Sequence, residues 1–184
     1  MLRDLIRRYS LIHIAGAEYR VYFSLNAQLC LELTYKPLRE LFSVPFDQWA
    51  KEDILQLTRA ALCDLPENAV AVSNRDFDAV KPGLYKLGQL IRQEDLPLLS
   101  LELVDAVLAS LPPPDPDERD SSTAESDEGD LFAYCVDVIG MPKSEFWQSN
   151  QRELNYRIDK YQHIKGYDAD DDAEKIVVKQ YDDI

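Results

Sequence analysis

The chain is short of glycine (6), histidine (2), cysteine (3) and positive charge over its 184 residues. Each shortage excludes something. Lys and Arg number 20 against 34 Asp and Glu, a net charge of −14. Nucleic-acid affinity rests mostly on phosphate neutralisation, so this balance argues against a DNA- or RNA-binding protein. It also disfavours an anionic membrane surface. No run approaches the ~18 apolar residues of a spanning helix. The opening Met1-Leu2-Arg3-Asp4-Leu5-Ile6-Arg7-Arg8 has neither an apolar h-region nor a small-residue cleavage site, so no signal peptide is expected there. Cys30, Cys63 and Cys135 are odd in number and far apart, which predicts free, buried thiols in a reducing cytoplasm.

Catalytic and cofactor signatures are equally scarce. There is no GxGxxG, Walker loop or GxSxG elbow. No CxxC or HExxH occurs. His13 falls in a strand-like run and is read as a satisfied strand residue. His163 falls near a helix C-terminus, where an imidazole suits the dipole. Asp168-Ala169-Asp170-Asp171-Asp172 imitates the start of an EF-hand loop. Ala173 then stands where the turn needs Gly, and Lys179 where a bidentate Glu is needed, so no calcium site is expected. Glu102 and Asp105 carry no glycosidase signature. The reading is of no enzyme, no metal and no cofactor.

What is present is a core and an uneven charge. Hydrophobic residues make up 46% of the chain, enough for a domain of ordinary size. Residues 112–130 hold eight acids and one Arg, and residues 167–184 hold seven acids and two Lys. These two runs account for −12 of the −14. The first has no apolar residue larger than Ala, so it is read as an acidic, Pro/Ser-rich disordered linker. The second is read as an acidic tail, and both as solvated spacers or electrostatic guards. The chain thus divides into a body (1–111), a linker (112–130), a small unit (131–166) and a tail (167–184).

Periodicity predicts an α+β, predominantly helical fold. Leu11–Ile14 and Tyr19–Phe23 read as an N-terminal β-hairpin around Ala15-Gly16-Ala17-Glu18. Alternation puts Tyr19, Val21 and Phe23 on one face, Arg20 and Tyr22 on the other. Leu25, Leu29 and Leu33 then mark a helix capped by Ser24 or Asn26, interrupted at Pro37 and resumed by Leu38, Leu41 and Phe42. Ile54, Leu57, Thr58, Ala61 and Leu62 mark a second helix. Residues 83–92 form a third behind Pro82, with Leu84, Leu87 and Ile91 inward. Residues 96–110 form a fourth, with Leu96, Leu99, Leu103 and Val107 on one stripe. In the small unit, an apolar helix over 131–140 closes at Gly140. Ser144-Glu145-Phe146-Trp147 forms a turn. Asn150 with Glu153 begins a helix carrying Leu154, Ile158 and Tyr161, with Gly166 at its C′ position. Thirty-six residues cannot hold a core alone, so this unit must dock on something.

The run Ile139-Gly140-Met141-Pro142-Lys143-Ser144-Glu145-Phe146-Trp147-Gln148-Ser149-Asn150-Gln151-Arg152-Glu153-Leu154, followed by Tyr161, resembles tail assembly chaperones of long-tailed phages. The hairpin from Ala15 to Phe23, leading into Ser24-Leu25-Asn26-Ala27 and a Leu-rich helix, is similar to the start of that family's helical domain. The order also agrees: hairpin, helices, acidic linker, Phe-Trp unit. Two features depart from the pattern. Asn150 replaces the Thr-Pro that often precedes Arg-Glu-Leu, and the acidic tail has no counterpart.

The resemblance implies a non-enzymatic protein of the host bacterium's cytoplasm, left out of the finished virion. It would bind the tape measure protein, keep it soluble and help recruit tail tube protein. A homo-oligomer is compatible with it. The two-part chain matches the family's extended form, which many members make by frameshifting. Phe146 and Trp147, with Arg152, Leu154, Ile158 and Tyr161, are the candidate partner-binding residues. An alternative for Phe146 and Trp147 stays open, that they pin the C-terminal helices together. Two other functional readings remain beside this one. One is a structural phage component such as a head–tail connector or tail terminator. The other is a small hydrolase that brings His13 or His163 into a site.

Overall fold

The computed structural model describes residues 9–111 and 128–165. The acidic linker over 112–127, the tail over 167–184 with its EF-hand-like run, and Gly166 lie outside the described residues.

Strand β1 (Ser10–Ile14) pairs antiparallel with β2 (Ala17–Val21), Ile14 opposite Ala17 and Ser10 opposite Val21. The turn is the two residues Ala15 (φ 50) and Gly16 (φ 78). Two positive φ values make a type I′ turn, whose twist matches the strands. The sequence reading gave this turn four residues. Ala17 and Glu18 are strand residues instead. The misplacement has a local cause, since Ala15 holds a positive φ without the Asn, Asp or Gly that normally signals one.

Ile12 and Ile14 point into the core, while Leu11 and His13 point out. Helix α1 (Leu25–Thr34) follows, with Ser24 Oγ accepting the Ala27 N–H at 3.3 Å. Its buried face is Ala27, Cys30 and Leu31. The Leu25, Leu29, Leu33 row is not that face, and Leu33 is 65% exposed. Small side chains at 27 and 30 let α1 lie close against α3 (Lys51–Ala61), which a leucine row would hold off. Helix α2 (Leu38–Phe42) restarts after Pro37, as expected. Beyond α3 come a short helix the periodicity did not reveal, α4 (Ala69–Ser73), then α5 (Leu84–Leu90) and α6 (Leu96–Ser110). Leu96, Leu99, Leu103 and Val107 of α6 are all buried, as their spacing predicts. The main core gathers these with Ile12, Phe23, Leu31, Leu57, Leu62 and Leu87.

Two carboxylates fix α6 against the hairpin. Glu102 accepts the His13 N–H at 2.8 Å and meets His13 Nδ1 at 2.6 Å. Asp105 accepts from Ser10 Oγ at 3.1 Å. A third carboxylate ties α1 to α3. Asp53, on the first turn of α3, accepts from the Ala50 N–H at 2.8 Å and from Tyr35 Oη at 2.7 Å. It also pairs with Lys36 Nζ at 2.7 Å. Burial opposes its ionisation, but the bonds from Lys36, Tyr35 and Ala50 win and hold its carboxyl below the ordinary 3.8. A carboxyl held low in the folded state stabilises above its unfolded pKa and loses that effect as pH falls through the folded value. The wild type should therefore lose stability below about pH 4, and Asp53→Asn should flatten that slope. At neutral pH Asp53→Asn should cost about 2 kcal/mol, read from urea midpoints.

The C-terminal unit begins with α7 (Glu128–Ala133), three residues before the boundary the composition suggested. It runs on as a π-helical turn over Tyr134–Val138, and Gly140 at φ 79 ends it. Helix α8 (Lys143–Trp147) starts behind Pro142, and α9 (Gln151–Lys165) follows. Leu131, Cys135, Met141, Phe146, Leu154 and Ile158 form a second core, with Leu25 of α1 packed against it. All three cysteines are free and buried. Contact with Cys30 and burial push the Cys63 thiol up, and burial pushes Cys135 up to about 11.

Candidate functional site

The seam between the two cores is built on the entry to α1. The first N–H groups of a helix lack partners within it. Here the Leu25 N–H donates to the Ser149 carbonyl at 2.9 Å, so the C-terminal unit completes the start of α1. One residue further along the unit, the Asn150 N–H donates to Tyr22 Oη at 3.1 Å. The Tyr22 hydroxyl in turn donates to Glu153 Oε2 at 2.7 Å. Asn150 Oδ1 caps α9 by accepting the Glu153 N–H at 2.9 Å. The capping pair read from Asn150 and Glu153 is thus present, with a tyrosine of the body inserted between its backbone N–H and its carboxylate. Tyr22, Asn150 and Glu153 are all buried.

A second contact crosses the seam. Helix α4 ends in a Schellman motif, with the Asp76 N–H bonded to the Ala71 carbonyl and the Arg75 N–H to that of Val72. The left-handed position, usually Gly, is Arg75 at φ 57. That substitution costs about 1 kcal/mol of backbone strain. What offsets it is the side chain. The Arg75 guanidinium lies 4.3 Å from the Trp147 ring centroid and donates to Asn26 Oδ1 at 3.1 Å. Arg20, stacked on Tyr9 at 4.0 Å, lines with Arg75, Tyr22, Trp147, Cys63 and Asp64 a cavity of about 460 Å³ at the seam.

The residues singled out in the sequence separate into two groups. Phe146, Leu154 and Ile158 are brought together in the second core. Phe146 packs edge-on against Phe132 at 5.0 Å and against Trp147 at 5.3 Å. Trp147 is partly buried at the seam. Tyr161 is partly buried against Tyr134 at 6.4 Å, and Arg152 is partly exposed on α9. His13 sits on the hairpin with Glu102, and His163 lies exposed in the last turn of α9. Among the described residues, no three His, Cys, Asp or Glu side chains gather to hold a metal ion, and no helix is long and apolar enough to cross a membrane.

Sequence reasoning missed Tyr22 and Arg75. Tyr22 was placed with Arg20 on the face opposite Val21 and Phe23, with no role given to it; Asn150 and Glu153 of the C-terminal unit and the Tyr9 ring are what meet it. Arg75 carries no signal at all, because Ser73-Asn74-Arg75-Asp76 lacks the Gly that announces a left-handed residue.

The fold and seam define a predominantly helical α+β protein with an N-terminal hairpin and two cores joined through Tyr22. Compared with known proteins, the chain matches no family model, no curated protein and no solved structure at a significant level.

Proposed function

We propose that the chain is a phage tail assembly chaperone, which binds the tape measure protein, keeps it soluble and helps recruit tail tube protein in the host cytoplasm. The observation that carries this reading is an ordered one. A Gly-turn hairpin leads through a Ser24-capped helix to a helical body, and the Phe146-Trp147 unit folds back onto that same hairpin–helix junction. That order fits the extended, two-part form of the chaperones the sequence resembles. The function is non-enzymatic, with no cofactor and no nucleic-acid partner. Holding a client needs exposed apolar surface on a scaffold kept soluble by charge, and a net charge of −14 suits the second requirement.

Co-expression with a phage tape measure protein, a long helical chain, tests the proposal. The expected result is co-purification and a rise in that protein's soluble yield, with peptides of this chain absent from purified particles. Failure to co-purify, or abundant peptides in mature particles, would transfer the chain to the connector or terminator reading.

A further inference from the structure

Helix α6 is apolar on the side that faces away from the core as well as on the side that faces it. Leu98, Leu101 and Leu108 are 58%, 50% and 58% exposed. With Asp105 between them, they fall at spacings of three, four and three residues. At 100° per residue that is one stripe on the back of the helix, opposite Leu99, Leu103 and Val107. A helix apolar all round is ordinarily buried on all sides. Here one long side is open, and its spacing is that of a helix–helix seam, in which knobs at three- and four-residue steps enter the holes of a neighbour.

The charge on the helix selects the neighbour. Residues 96–110 contain two acids, Glu102 and Asp105, and no Lys or Arg. Glu102 is engaged by His13 at the flank, while Asp105 accepts from the uncharged Ser10 hydroxyl through Oδ2 at 3.1 Å and is exposed on the stripe itself. A second copy of this chain fits poorly. Paired in parallel, the two Asp105 carboxylates would face each other. Paired antiparallel about the middle of the stripe, they would lie about one turn, ~6 Å, apart in a partly desolvated seam. Like charges so placed repel. A helix with leucine-type residues at the same spacing and a Lys or Arg set to meet Asp105 has neither problem.

We propose that the outer face of α6 is a docking site for a basic amphipathic helix of a partner protein. This deepens the chaperone reading and rests on it for the partner's identity: the client is held by the Leu98–Leu101–Leu108 stripe, away from the Phe146-Trp147 seam. The stripe takes the partner's apolar face, and Asp105 sets register and charge preference.

The test uses the full chain and two synthetic helical peptides of about 14 residues, roughly four turns. Both carry leucine at three-four spacing, one flanked by lysine and the other by glutamate. Binding is followed by fluorescence anisotropy at about 0.3 M salt, where exposed charges are screened. The lysine peptide should bind, and the glutamate peptide should bind far more weakly. Leu101→Asp and Leu108→Glu should each weaken the lysine peptide at least about tenfold, since each removes buried leucine surface. Both variants also make the chain more acidic, so general charge attraction predicts tighter binding, the opposite sign. Unchanged or tighter binding by these variants overturns the proposal. So does a wild-type dimer that Leu101→Asp dissociates, because the stripe is then covered by a second copy. So does a loss of stability in Leu101→Asp without peptide, because the chain then covers the stripe itself. If the peptide results hold and the co-expressed tape measure protein does not co-purify, the docking face stands and the chaperone reading falls. If that protein co-purifies equally with Leu101→Asp, the reverse is true.

Discussion

Tyr22→Phe is expected to undock residues 128–165 while leaving the body folded. The substitution deletes one oxygen and keeps the ring, its burial and its contact with Tyr9 at 5.6 Å. That oxygen makes two bonds to the C-terminal unit and belongs to the body. Without it, the buried Asn150 N–H loses its acceptor and the buried Glu153 carboxylate loses a 2.7 Å donor. A buried neutral group stripped of its partner costs about 1–3 kcal/mol and a charged one more, so the total should be about 3–5 kcal/mol. What remains at the seam is the Leu25 N–H bond to Ser149, the Arg75–Trp147 stack and Leu25 against the second core, and the unit itself is small. Its core has six buried side chains, too few to fold without support. Undocking and unfolding of the unit should therefore be one event. The main core has its own hairpin, helices and Asp53 clamp and should not notice. Hydrogen exchange reads this directly: amides of Gln151–Ile158 should lose most of their protection, and those of α3 and α6 should keep theirs. Protection of α9 within a factor of ten of the wild type would mean that the Tyr22 hydroxyl does not hold the seam.

The same seam shows where the sequence is legible and where it is not. The stripe Leu96, Leu99, Leu103, Val107 was readable because a helix packed on one core shows its period in its own residues. The Asn150–Glu153 cap was readable for the same local reason. Leu25, Leu29 and Leu33 marked their helix, but its most buried face is Ala27, Cys30 and Leu31, because period alone does not distinguish a leucine row from a row of small residues that packs more closely. Helix α4 escaped because five residues are too few to display a period. Tyr22 was placed opposite Val21 and Phe23 by alternation, yet it follows the last strand residue and bonds Asn150 and Glu153 of the C-terminal unit, about which the alternation of a hairpin carries no information. Arg75 was invisible, since its backbone is held in a glycine conformation by contacts with Trp147 and Asn26 from distant parts of the chain. The outer leucines of α6 were in plain view. They were passed over because the inner stripe already explained the helix.

Phe146→Ala and Trp147→Ala should part company, although the two residues are neighbours and were read from the sequence as one anchor. Phe146 is 3% exposed, its ring wedged between Phe132 and Trp147 inside the second core. Truncating a buried Phe costs about 3–5 kcal/mol, which is as much as the unit can lose. Phe146→Ala should therefore abolish the helical signal of residues 128–165, and any change in partner binding would follow from that loss. Trp147 lies at the rim. Its truncation gives up the stack with Arg75, the edge-on contact with Phe146 at 5.3 Å and a looser contact with Phe132 at 6.1 Å, together about 2–3 kcal/mol. Trp147→Ala should stay folded by circular dichroism, with a lower midpoint for the C-terminal unit alone. It should also bind the lysine-flanked helix within about twofold of the wild type, because that helix docks on α6. A folded Trp147→Ala that loses the client would return the anchor to the seam. A folded Phe146→Ala would mean that the second core does not depend on the ring at its centre.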